Sequence, residues 1–98
     1  MFTLQIEHGI KDYRMWKAAF DSDPLDRLAS GVNAYRIATP VDDDHYVVLE
    51  LDFRASGEAA AFLVRLQNDV WRSAAASPAL AGAPKTRILE AVGAGSGG

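Results

Sequence analysis

The side chains best suited to hold a small molecule are aromatic residues near the start of the chain. Tyr13, Trp16 and Phe20 recur at helical spacing, so they form one stripe on a predicted first helix. Such a stripe can wall a pocket for a flat apolar ligand, with the tyrosine hydroxyl orienting it. More often it fills the core beneath its helix, and both roles can hold for different atoms of the same residues.

His8 and His45 are the side chains that would titrate near neutral pH, so either could act as a general base. His8 ends the first predicted strand and His45 begins the third. We expect the two at opposite ends of the sheet, too far apart to share a metal ion. Solvent is the commoner environment of an unpaired histidine, and we expect it for both.

The acidic run 42–44 beside His45 could suggest a cation site. Its adjacent aspartates lack the alternating spacing and the glycine of a calcium loop. Aspartates also favour turns, because their side chains bond to nearby backbone. We therefore predict a solvated turn here and no metal site.

Four strands and two helices would position these residues. Alternation of apolar and polar residues predicts the strands, and Asp12 and Ser56 are the predicted N-caps of the helices. The hairpin of the second and third strands should set Arg36 opposite Glu50, since this register satisfies both faces of the sheet. The predicted strands are residues 2–8, 32–39, 45–53 and 85–92, with a loop over 77–84.

The β-α-β-β-α-β order predicts a ferredoxin-like α+β fold. Right-handed crossovers place both helices on one face of a four-stranded antiparallel sheet. We expect residues 1–92 to form a single domain and 93–98 a flexible glycine-rich tail. The other sheet face would mix charges with small apolar residues, and Tyr46 and Val48 favour packing against a second copy over solvation.

Composition narrows the possible partners. The 98 residues carry a net charge of −3 without a basic stripe, which argues against nucleic-acid binding. No apolar run approaches the roughly 20 residues that span a bilayer, and the first residues alternate like a strand rather than a signal peptide. We expect a cytoplasmic protein whose thin core, without cysteine, is supplemented by homodimerisation.

Three stretches carry a resemblance to a known superfamily. They are Asp12-Tyr13…Trp16-Lys17…Phe20-Asp21, residues 45–53 (HYVVLELDF), and Ser56-Gly57-Glu58-Ala59…Phe62. Through them, residues 1–92 resemble the dimeric α/β-barrel superfamily, which includes cofactor-free monooxygenases of antibiotic biosynthesis, small cyclases and uncharacterised bacterial proteins. The resemblance implies a homodimer with facing sheets, a ligand cleft between sheet and helices, and no cofactor.

Asn68 and Trp71 lie three apart on the second predicted helix and so should share a face. Some monooxygenases of this superfamily hold an oxygen-reactive phenolic substrate with an asparagine and a tryptophan, so the resemblance makes this pair a candidate. The alternative is that Trp71 only covers the helix end.

Three functions remain open from the sequence. The chain could bind a small apolar or aromatic ligand without chemistry of its own. It could be a cofactor-independent monooxygenase or cyclase acting on an aromatic or polyketide-like substrate, positioned by the candidates Tyr13, Trp16, Asn68, Trp71 and His8. It could also be a structural module for protein–protein interaction. An open cleft with inward polar groups would favour the enzyme, and a cleft filled by aromatic side chains the interaction module.

Overall fold

A computed structural model describes residues 1–73, 77 and 79–97. The strands are β1 (Phe2–Ile10), β2 (Ala34–Ala38), β3 (Tyr46–Phe53) and β4 (Leu80–Glu90). The helices are α1 (Tyr13–Asp21) and α2 (Ser56–Arg65). Helix α2 continues into a π-helical segment (Leu66–Val70). The strands form one antiparallel sheet in the order β2-β3-β1-β4. The predicted order of elements and the four-stranded sheet are confirmed.

The predicted register of the β2–β3 hairpin is also confirmed. Arg36 lies opposite Glu50, and Ile37 opposite Leu49. The same alternation runs through the central strands, where the most deeply buried side chains face the helices. The largest fully buried side chains of this core layer are those of Leu4, Ile6, Val47, Leu51 and Phe53.

The boundary predicted for β4 was wrong. Residues 77–84 were predicted as a loop, but β4 begins at Leu80. On β1, Glu7 pairs with Lys85 and Gly9 pairs with Ala81, so the register shifts between these two pairs. Residues 82–84 therefore form an irregular stretch of β4 opposite His8. A proline is tolerated there because β4 is an edge strand and needs ladder hydrogen bonds on one side only.

Gly9 marks the closest approach of β1 and β4. A Cβ atom at this position would lie 2.9 Å from the carbonyl oxygen of Ala81, too close for any side chain without a backbone shift. β1 nevertheless continues past Gly9 to Ile10, where the predicted strand had already ended. The glycine therefore serves close strand packing here rather than a strand end.

The two helices begin differently. The Asp12 side chain accepts a hydrogen bond from the Met15 backbone N–H at 2.9 Å, which confirms the predicted cap of α1. The predicted cap Ser56 is instead the first helical residue of α2, and the capping position is Ala55, which has no side-chain acceptor. Within the described ranges, no helix is long and apolar enough to cross a membrane.

Candidate ligand-binding cavity

A cavity lies between the helices and the inner face of the sheet. Its volume is about 90 Å³, and it is partly open to solvent. Ile6, Leu49 and Leu51 of the sheet form part of its wall, and Phe62 of α2 and Leu66 of the π-helical segment form another part. A volume of about 10–15 Å³ already admits a water molecule, so this space is large enough for a small organic group.

Three of the predicted aromatic residues line this cavity. Trp16 and Phe20 stack with ring centroids 5.3 Å apart and planes inclined by 20°, and Trp71 contributes from the end of the π-helical segment. Trp16 is buried, and Phe20 and Trp71 pack against the same core cluster. These side chains thus support the core and wall the cavity at once.

His8 is the deeply buried polar side chain of the cavity. It shares the helix-facing side of β1 with Leu4 and Ile6 and is only 4% exposed, so the expectation of a solvent-facing histidine was wrong. Its Nδ1 lies 2.8 Å from the Gly9 carbonyl oxygen. Because a carbonyl can only accept, Nδ1 carries the proton and Nε2 keeps its lone pair. Burial lowers the pKa of His8, although the bond to Gly9 opposes that shift.

Two charged side chains also reach the cavity wall from the loop that follows α1. The Arg27 guanidinium lies 3.9 Å from the Phe20 ring centroid and donates to the Phe20 carbonyl oxygen at 2.6 Å. Asp23 lies 3.3 Å from the Arg27 Nη1, so the pair is locally neutral. Both side chains are partly exposed, which leaves His8 as the deeper polar group.

Tyr13 and Asn68 lie outside the cavity. Tyr13 contacts Trp16 with ring centroids 6.0 Å apart but lines a separate open depression together with Asp12 and His45. Asn68 is exposed on the π-helical segment. In that segment the Trp71 N–H donates to the Leu66 carbonyl at 2.8 Å, an i+5 bond that widens the turn. Asn68 and Trp71 are therefore not brought together at one site.

The two histidines lie at the same end of the sheet, contrary to the expectation. β1 and β3 are antiparallel, so the end of one strand adjoins the start of the other, and the Ile10 N–H donates to the His45 carbonyl oxygen at 2.8 Å. His45 is exposed, whereas His8 points into the core. Among the residues that the structure describes, no cluster of potential metal ligands occurs.

Part of the cavity wall was not predicted from the sequence. Asp23 and Arg27 belong to a segment without helical or strand periodicity, so no pattern pointed to them. The strand position of His8 did carry a usable pattern, because residues two apart on a strand share a face. Continuing the series Leu4 and Ile6 by one step places His8 on the buried side.

The similarity of this chain to known proteins is structural. No protein-family model matches the chain, and no curated protein matches it in sequence. A protein of unknown function from Nitrosomonas europaea is similar at TM-score 0.67 and 17% identity, over 99% of this chain and 94% of that one. The chain has the ferredoxin-like fold. A protein from the same organism, proposed to be an antibiotic biosynthesis monooxygenase, shares it at TM-score 0.61 and 20% identity, over 94% of this chain and 99% of that one.

An uncharacterised NIPSNAP domain protein from Burkholderia xenovorans has the same ferredoxin-like fold, at TM-score 0.64 and 16% identity. The match covers 98% of this chain and all of that one (100%). These structural neighbours belong to different classes of protein but share one architecture, and the ferredoxin-like fold supports many functions. The activity of this chain must therefore be argued from its own cavity.

Proposed function

We propose that this chain binds a small, flat, mostly apolar ligand in the cavity between its helices and sheet. The observation that carries the proposal is a partly open cavity lined by Trp16, Phe20 and Trp71. A buried histidine, His8, also lines it, and its Nε2 has no hydrogen-bond partner among the residues that the structure describes. Apolar walls with few convergent polar groups are typical of small-molecule sites. An aromatic cluster that only filled the core would have left no such space.

The size of the cavity limits the ligand. A dry apolar cavity of about 150 Å³ can bind benzene, and this one measures about 90 Å³. We therefore expect at most a single ring to enter, with any larger part of the ligand left towards solvent. The stacked rings of Trp16 and Phe20 favour an aromatic ring, since flat π-systems pack in offset or edge-on arrangements.

Intrinsic fluorescence offers a direct test, because both tryptophans of the chain line the cavity. We expect saturable quenching by 4-nitroanisole, a single-ring nitroaromatic. Ala19 lines the cavity on α1, so Ala19→Leu should fill part of it and weaken binding by about tenfold or more. Ala18→Leu is the matched control, because Ala18 is exposed on the same helix.

The control variant should bind like the wild-type protein. Linear quenching without saturation would overturn the proposal, because it would show collision rather than binding. Equal loss of affinity in Ala18→Leu and Ala19→Leu would overturn it too, by moving the binding site away from the cavity. Circular dichroism of both variants confirms that each is folded before the titration.

A second candidate function is cofactor-independent oxygenation of a phenolic substrate. It is favoured by the neutral imidazole of His8, whose Nε2 has no partner within the described part of the chain, and by the likeness to a protein proposed to be an antibiotic biosynthesis monooxygenase. In such a reaction the substrate itself supplies the electrons: one oxygen atom enters the ring, the other leaves as water with two hydrogen atoms of the phenol, and the phenol becomes a quinone. Incorporation of label from ¹⁸O₂ into a monophenol, dependent on the protein and on no added cofactor, tests it. Product formation at the rate of the buffer control would exclude it.

We also propose that two copies pair through the outer face of the sheet. Some of the charges on that face are already matched within one copy: Arg36 contacts Asp52 at 2.9 Å and Glu50 at 3.1 Å. A face whose charges are satisfied internally can be covered with a smaller desolvation cost than one with unpaired charges. Val48 supplies apolar surface near its centre, between Glu7 on β1 and Ala38 on β2.

A further inference from the structure

His8 combines deep burial with an unused acceptor. Its Nδ1–H is committed to the Gly9 carbonyl oxygen, 2.8 Å away, which fixes the tautomer and leaves the lone pair on Nε2. Nε2 has no hydrogen-bond partner in the described part of the chain, and the ring lines the cavity. The nearest aromatic neighbour, Trp16, is tilted by 58° at a centroid distance of 6.4 Å and offers no close polar contact.

The surroundings keep this imidazole available as a base. Burial disfavours its protonated form and lowers its pKa, so it is neutral at physiological pH. The charged residues that line the cavity, among those described, are Asp23 and Arg27, which pair with each other on the loop after α1. The cavity lining from α1, α2, the π-helical segment and β3 is uncharged, and on β1 the titratable lining group is His8 itself.

We propose that His8 is a general base, which removes the proton from a phenolic or enolic hydroxyl of the ligand in this cavity. The proposal rests on the ligand-binding function proposed above and names the class of substrate that the site would take. The O–H bond of the ligand breaks, an Nε2–H bond forms, and the electron pair remains on the oxygen. The products are a bound phenolate or enolate and an imidazolium that still donates to Gly9 through Nδ1.

The class of hydroxyl follows from the chemistry of the site. Proton transfer is most effective when donor and acceptor have similar pKa values, which favours acidic phenols and enols over ordinary alcohols. Carboxylic acids are excluded by the opposite argument, because they arrive ionised and would lose solvation in an apolar cavity. The transfer forms a phenolate or enolate and an imidazolium at hydrogen-bond distance from each other. Their attraction offsets part of the free-energy cost of having two charges in an apolar cavity.

Two probes of the same shape separate this role from binding alone. 4-Nitrophenol carries the acidic hydroxyl and becomes yellow on ionisation, whereas 4-nitroanisole replaces that proton with a methyl group. The titration is run at a pH where free 4-nitrophenol is mostly protonated. We expect the wild-type protein to bind 4-nitrophenol at least about tenfold more tightly than 4-nitroanisole, with the phenolate absorption band in the complex.

The variant His8→Gln keeps a polar side chain but removes the base. It should lose the phenolate band and the preference for 4-nitrophenol, so that the two probes bind this variant with similar affinity. Should this variant fail to fold, ¹⁵N NMR of the wild-type imidazole gives the same information. Nε2 should become protonated when 4-nitrophenol binds and stay unprotonated when 4-nitroanisole binds.

The possible results distinguish failure of the role proposed for His8 from failure of the proposed ligand binding. Saturable binding of both probes with equal affinity would overturn the role of His8 and leave ligand binding intact. A preference for 4-nitrophenol without the phenolate band would also overturn it, because His8 would then accept a hydrogen bond without taking the proton. No saturable binding of either probe would overturn the proposed function itself.

Discussion

The burial of His8 has a consequence for stability that does not depend on any ligand. In the folded protein its pKa is lowered by burial, and in the unfolded chain it returns to about 6.5. As pH falls below that value, the unfolded chain takes up a proton that the folded protein resists. The stabilisation is therefore complete above about pH 6.5 and is lost as pH falls towards the lowered pKa.

We expect the free energy of unfolding to decrease more in the wild-type protein than in His8→Gln between pH 7 and pH 5. One proton contributes a slope of at most about 1.4 kcal/mol per pH unit. Urea unfolding at both pH values measures it. All other side chains are the same in the two proteins, so their contributions cancel in the difference. Equal decreases in the two proteins would contradict the burial of a neutral imidazole at position 8.

The site was only partly predictable at this scale. Helical spacing identified Trp16 and Phe20 because a stripe on one helix is a local pattern. Whether such a stripe encloses a space depends on how far the helix stands from the sheet, which no local pattern records. Tyr13 belongs to the same stripe by spacing yet lies at the start of α1, where it is more than a third exposed at 36%.

At the scale of the elements, the two helix starts form a natural comparison. Asp12 caps α1 with a side-chain acceptor, whereas Ala55 occupies the same position at α2 without one. Unpaired N–H groups in a first helical turn are satisfied by side-chain oxygens at the capping position. The glutamate in the first turn of α2, Glu58, compensates only through the helix dipole.

We expect Asp12→Ala to lower the free energy of unfolding by about 1 kcal/mol and Ala55→Asp to raise it by about 0.5–1 kcal/mol. Ala55 already has an extended backbone conformation and is exposed, so a new carboxylate can reach the first turn without strain. Chemical denaturation measures both changes. Asp12→Asn is the control and should be nearly neutral. A destabilising Ala55→Asp would show that the backbone of α2 does not present a capping site.

The elements were predicted best where two independent constraints agreed. The β2–β3 hairpin had complementary residues on both faces, such as Arg36 with Glu50, and a one-residue slip would have inverted all of them. The start of β4 was predicted wrongly because its local residues, Gly82 and Pro84, are typical of loops. Only the position of β4 at the sheet edge makes them acceptable in a strand, and that position is a property of the tertiary fold.

At the scale of the whole molecule, the described residues form two layers, a sheet and the helices that cover one of its faces. Its extents are 39 × 32 × 20 Å, and both helices pack on the same side of the sheet. The order of elements was enough to predict this arrangement, because crossover handedness leaves few alternatives. What covers the outer face was not decided by that order, since a mixed polar and apolar surface is compatible with solvent or with a partner.

Pairing through the outer face predicts a homodimer at micromolar concentration, measurable by sedimentation equilibrium. Val48→Lys should weaken the dimer by at least about tenfold, because pairing would then bury an added charge. The monomer should tolerate this lysine, since it would lie across from Glu7 on β1. Val64→Lys makes the same chemical change on the exposed side of α2 and should leave the association unchanged. A monomeric wild-type protein, or equal weakening by both substitutions, would exclude the sheet face as the interface.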